Sequence, residues 1–262
     1  MKIISSILIS LSVLAPSPAF RTVALVAHAI SAASASGSTT SSINTTGANF
    51  CVVSTFYYSI SEPTVSDSKG NTWTPRTAYD TGFQTGVQIF YTANPTVGSG
   101  HTFTVSGGAS YSGIAVGCFS GVKLTSPYDS ESGATSVGTT LQPGSITPSE
   151  NNELIFSACS FGNTIDACNV SGSSFSALDN QVPIPGDGIG GASGYVIQGT
   201  SGSSNPTWTQ SSAQYIAVNQ AAFKMDSGGG GATVPAGIFN GAPIKCCKDI
   251  LTRTFDFLFK GY

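Results

Sequence analysis

Few side chains in this chain are equipped for chemistry. Two histidines, His28 and His101, are all that it offers for acid–base work near neutral pH. His28 lies in an Ala- and Val-rich segment and reads as a packed or surface residue. His101 follows Gly98-Ser99-Gly100 and reads as a turn or surface position at the start of a strand. Nucleophilic catalysis needs a base beside the nucleophile, and no Gly-x-Ser-x-Gly turn occurs with a nearby His and Asp. Glycoside hydrolysis needs two carboxylates across a cleft. Asp129 and Glu131, in Tyr128-Asp-Ser-Glu131, are the only close pair in a loop, and they read as solvated residues. Asp67-x-Lys69-x-Asn71 alternates oxygen donors but puts a Lys where a calcium ligand would sit, so a turn explains it better. Asp187, between two glycines, reads as a turn as well.

The six cysteines are at 51, 118, 159, 168, 246 and 247. Cys51 and Cys118 fall inside apolar strand segments and read as buried free thiols. Cys159 and Cys168 are spaced for a disulfide across a hairpin in an oxidising compartment. The adjacent Cys246 and Cys247 suit intermolecular pairing or packing. Spacing of the Cys-x-x-Cys type is missing, so neither a metal nor any other cofactor is expected. The chain is not composed like an enzyme.

The elements that hold these residues follow from composition. Ser and Thr supply 68 of 262 residues and Gly 31, whereas charged residues make up only 9%. Hydrophobic residues are 40% of the chain and include 15 Phe and 9 Tyr, enough to bury a core. This is the vocabulary of short strands and tight turns. A net charge of −3 gives no basic footprint, which argues against nucleic acid as a partner. Strands are expected at 22–30, 50–58, 86–93, 101–106, 112–122, 153–161, 173–178, 194–199 and 214–224, with 122–140 as a crossover loop. Trp73 and Trp208, each between threonines, are expected to face the core.

The segments also repeat. Ile43 to Val52 lines up with Ile146 to Ile155, and Ile114-Ala-Val116 recurs as Ile216-Ala-Val218. Thr102-Phe-Thr104 resembles Thr207-Trp-Thr209, and Val87–Phe90 sits where Gly194–Ile197 sits. The expected fold is therefore an all-β, antiparallel β-sandwich over 21–226, jelly-roll-like or Ig-like, with pseudo-repeats 34–122 and 134–224.

Outside the sandwich, residues 1–20 combine Lys2, an apolar run and Ser17-Pro-Ala19. A cleaved secretory signal and a retained arm both fit, and the run is too short for a membrane span. Residues 227–231 form a Gly linker, and 232–262 an apolar tail. Leu251, Phe255, Phe257, Leu258 and Phe259 need cover, which makes them the expected assembly contacts.

In Val65–Pro75, Phe90–Pro95, His101–Val105 and Ile114–Val122 with Ser126-Pro-Tyr-Asp129, the chain resembles a broad group of uncharacterised Ser/Thr/Gly-rich β-sandwich proteins. They occur in tailed-phage virions, as head and tail fibres or decorations, and among secreted bacterial surface proteins. The resemblance implies a fold and a setting, not an activity. The expected function is a non-enzymatic virion or surface subunit, with itself or virion and fibre neighbours as partners. The alternative is a secreted glycan-binding adhesin, with Tyr128 as the candidate sugar contact. Either setting is a virion surface or extracellular.

Overall fold

The computed structural model describes residues 22–58, 61–82, 84–107, 111–162, 167–181 and 188–227. The chain divides after Gly228, and all described residues belong to the first unit. The expected arm at 1–20 and the assembly tail with Leu251, Phe255, Phe257, Leu258 and Phe259 lie outside the described residues, as do Asp187, Cys246 and Cys247.

Fourteen strands and no helix are found among the described residues. The first eight are β1 (Ala24–Ser34), β2 (Ser38–Thr39), β3 (Phe50–Tyr58), β4 (Thr64–Asp67), β5 (Thr74–Asp80), β6 (Gly86–Ala93), β7 (Phe103–Ser106) and β8 (Tyr111–Ser120). The remaining six are β9 (Tyr128–Leu141), β10 (Glu153–Phe161), β11 (Asn169–Ser171), β12 (Ser176–Gln181), β13 (Gly190–Gln198) and β14 (Thr207–Phe223). One sheet has the order β1-β8-β3-β6-β5. The other runs β9-β14-β10-β13-β12, with β11 on the early part of β14. β2, β7 and β4 make a small third sheet. All the paired strands are antiparallel. This is an all-β sandwich in which each large sheet comes from one half of the chain.

Strand alternation sends Phe50, Val52, Val87, Ile89 and Phe119 from the first sheet into the space between the sheets. They meet Leu154, Phe156, Ala217, Ala221 and Phe223 from the second. Phe50 packs 4.8 Å from Phe223, and Phe119 5.2 Å from Tyr195, centroid to centroid. The other faces are covered too. Phe103 and Val105 of the small sheet pack on Val53, Ile114 and Val116, and Trp208 packs with Phe161, Ile216 and Val218.

Two expectations are corrected here. The stretch 122–140 is mainly the 14-residue strand β9, paired along β14 from Tyr128 to Leu141. Its Ser, Gly and Thr content hid a strand whose outer side is solvated, because such a strand carries no apolar run to mark it. Cys51 and Cys118 are not free thiols. They face each other in the β3–β8 register, with Cα atoms 4.1 Å apart, and form a disulfide. Spacing of 67 residues along the chain says nothing of that proximity; only strand pairing supplies it. Cys159 of β10 is bridged to Cys168, just before β11.

Glycine matters where an aromatic ring from the other sheet lies flat on a strand. A Cβ on Gly191 would sit 2.1 Å from the Phe56 ring, and one on Gly133 2.5 Å from Tyr79. Gly191→Ala should therefore destabilise the fold by about 1–3 kcal/mol through overpacking. Gly199→Ala, with nothing within 4 Å of the added methyl, should stay within about 0.5 kcal/mol of the native protein. Denaturant midpoints of the two variants check both values.

Candidate functional site

The residues with chemical potential fall into three groups, two of them built around carboxylates. The first is where β4 turns out of the small sheet. Asp67 ends β4, and its side chain is fully buried. Oδ1 accepts the Lys69 N–H at 2.8 Å, the Asn71 N–H at 3.3 Å and the Asn71 side-chain amide at 3.2 Å. Oδ2 accepts the Trp73 indole N–H at 2.8 Å. This is an Asx-closed turn, with Gly70 at φ 73° completing it. His101 lies behind it, fully buried and stacked on Phe103, so the expected turn or surface position is corrected. The small sheet covers it, which no local sequence feature announces.

His101 Nε2 is 3.3 Å from Asp67 Oδ1, a contact without hydrogen-bond alignment, and its Nδ1 is 2.9 Å from Thr45 Oγ1. Thr45 in turn donates to the Gly98 carbonyl and accepts the Gly98 N–H. Hydroxyl, imidazole and carboxylate are thus in line, in the order of a hydrolytic triad. Thr45 and His101 are both sealed from solvent, however, so no substrate carbonyl can reach the hydroxyl. The arrangement ties three loops together. Burial pushes the His101 pKa below its usual value, with the Asp67 charge opposing in part.

The second group joins the edges of the two large sheets. Glu131 of β9 accepts from Arg76 of β5 in two places, Nε at 2.9 Å and a terminal nitrogen at 3.1 Å, and from the Thr77 hydroxyl at 2.6 Å. These bonds hold its carboxyl below the ordinary range against the cost of burial. The Arg76 guanidinium lies 3.6 Å from the centre of the Tyr128 ring, so that face of Tyr128 is taken and does not offer a sugar platform. Asp129 accepts from the Ser149 N–H and hydroxyl and sits 3.3 Å from Lys224 Nζ. Asp129 and Glu131 are therefore strand residues engaged with separate partners, not a solvated loop pair. On the opposite edge, His28 of β1 meets Asp179 of β12 at 3.0 Å.

Near Asp129 is Glu153, the first residue of β10, fully buried. Its Oε1 accepts the Glu150 N–H at 2.8 Å, whereas Oε2 has no partner. Desolvation raises its pKa to about 6, and the Asp129 and Glu150 charges add to the rise.

The third group lines an open cleft of about 380 Å³ between β4, β5 and β6. Trp73, Pro75 and Phe90 provide its apolar surface, and Glu62, Thr64 and Gln88 its polar one. Sequence reading assigned Trp73 to the core. It is half-buried, one edge against Phe103, and helps form the cleft. Trp208 is fully buried. Glu62 and Gln88, 26 residues apart, carried no signal; their meeting depends on where the chain enters β4.

No group of three or more His, Cys, Asp or Glu able to hold a metal ion occurs among the described residues. No described helix is long and apolar enough to cross a membrane. Compared with protein-family models, curated proteins and solved structures, the chain matches none.

His101 and Glu153 set opposite pH trends. Below pH about 6.5 the unfolded chain takes up the His101 proton that the folded chain resists, so stability falls with acidification. Glu153 binds its proton more tightly when folded. The cost of its buried charge, roughly 2 kcal/mol for this shift, is present above pH about 6 and relieved as pH falls toward 4.5. Glu153→Gln should thus steepen the loss of stability between pH 6.5 and 5, and His101→Gln should flatten it. Denaturation midpoints across that range decide the matter.

Proposed function

We propose that the chain is a non-enzymatic structural and interaction protein displayed on a virion or other extracellular surface, its sandwich acting as a covalently stapled spacer. The observation that carries this reading is how the scarce charges are used. Glu131, Asp129, Asp67 and Asp179 each join separate segments, and the two group arrangements that resemble catalytic sets are sealed or paired off. The disulfides Cys51–Cys118 and Cys159–Cys168, one in each half, support an oxidising setting. By loop length they are worth about 4 and 2–3 kcal/mol respectively.

The reading includes a fused pseudo-dimer. Its support is the common strand order of the two sheets and a common register. Phe50 faces Ala93 and Phe119, as Leu154 faces Ile197 and Phe223. Ser66 faces Thr104, as Val170 faces Trp208. The isolated bridge Ile43–His101 has its counterpart in Ile146–Ser204. Even the edge staples correspond. Thr77 and Asp179 hold equivalent places and touch Glu131 and His28, which are equivalent in β9 and β1. Equivalent units then run from β1 and from β9, longer at the front than 34–122 and 134–224.

Two experiments test the proposal. Chains 1–123 and 124–262, coexpressed in an oxidising compartment, should assemble one to one into a particle with the far-ultraviolet spectrum of the intact protein; failure to associate sinks the pseudo-dimer. A chain ending at Asp226 should stay folded but lose the native oligomeric state in light scattering and incorporation into particles or fibres. Unchanged assembly would remove the tail as the mounting element, and hydrolysis of any glycan or peptide panel by the intact chain would remove the non-enzymatic reading.

A further inference from the structure

We infer that the cleft between β4, β5 and β6 is a binding site for a neutral saccharide, one pyranose ring deep. The inference goes beyond the structural role: a pure spacer would need no such cleft, and a spacer without glycan affinity would leave that role standing.

The cleft is built from fixed parts. The Trp73 indole is held by its N–H bond to Asp67 Oδ2 at 2.8 Å and by its edge contact with Phe103. Asp67 is itself immobilised by the Asx turn. With Pro75 and Phe90, this ring offers a rigid apolar surface of the kind that the C–H face of a pyranose stacks on. Opposite it are acceptors. Glu62 is exposed, and its carboxylate accepts from the Gln88 side-chain amide at 3.0 Å. The same amide donates to the Arg76 carbonyl at 2.8 Å, which fixes which way Gln88 points. Gln88 is 2% exposed, and its side-chain carbonyl has no partner in the protein. A buried amide oxygen left in that state costs about 1–3 kcal/mol, which a hydroxyl donor would relieve once the side chain is drawn toward the cleft that it lines.

The second argument rests on the pseudo-dimer reading and compares the other half of the sandwich. In the shared register, Gln88 corresponds to Ala192, Phe90 to Gly194, Pro75 to Ala177 and Thr64 to Cys168. Thr55, opposite Gln88, corresponds to Cys159. Where the second half closes this face with small residues and a disulfide, the first half keeps a polar amide, a carboxylate and an indole. Architecture alone explains the second solution and not the first.

A donor-rich, uncharged ligand fits better than a cation. The Glu62 charge is exposed, where an ion pair gains little, and beside the Trp73 ring the exposed Pro75 offers C–H surface and no second ring face. The unmet demand is that of a neutral carbonyl.

The test uses the full chain on an array of neutral and sialylated oligosaccharides, followed by titration of tryptophan fluorescence with the best neutral glycan. Trp208 is fully buried, so a change on binding reports Trp73. The expected result is saturable binding of neutral glycans that persists at high salt. Glu62→Ala should weaken it about tenfold and Thr64→Arg, which fills the mouth, should abolish it, both with native denaturation midpoints. Absence of neutral-glycan binding, or binding untouched by both variants, overturns the proposal. So does saturable binding of tetramethylammonium that vanishes at high salt, which would make the cleft a cation site.

Discussion

Everything in this sandwich depends on the contact between the inner faces of its two large sheets. Sheets pack about 10 Å apart, and that gap must be filled to crystal density by side chains from both sides. Here the filling is aromatic at the centre, where Phe50, Tyr91 and Phe223 meet, and Phe119 stands edge-on to Tyr195. Rings of this size need matching hollows. Gly191 beneath Phe56 and Gly133 beneath Tyr79 provide them, and this is why glycine occupies strand interiors where it is otherwise unfavourable. Strand alternation makes the constraint strict, since a slip of one residue would turn every inner ring to the outside.

Once the faces are fixed, the edges follow. β5 lies over β9 and β1 over β12, and each pair of edges is joined by a charged contact, Arg76–Glu131 on one side and His28–Asp179 on the other. A chain with so few charged residues leaves little charge for the surface. Among the described residues the ionisable groups act largely between segments, and burial shifts several of them, His101 and Glu153 in opposite directions with respect to acid.

The outer layers are where the halves part. Cys51–Cys118 crosses the outer face of the first sheet, whereas Ile155 and Ala222 pack with Ile146 on the second. Cys159–Cys168 closes the outer face of the second, packed with Phe161, Trp208 and Val218. The two outer faces thus carry different closures, and the open cleft lies on that of the first sheet, beside β4, β5 and β6.

The strands at 50–58, 86–93 and 153–161 were legible to the residue, because strands buried on both faces are apolar runs bounded by turn residues. Fold class, the Asp67 turn and the spacing for Cys159–Cys168 were legible for similar local reasons. β9 was not, because a half-solvated Ser/Thr/Gly strand looks like a loop. The sequence by itself determined which segments are strands and that charge is too scarce for a solvated ionic surface. Only the tertiary structure decided that His101 is buried, that Cys51 faces Cys118, and that Glu62, Trp73 and Gln88 line one cleft. Those three outcomes are set by strand pairing between segments far apart in the chain, and pairing partners leave no mark on local sequence.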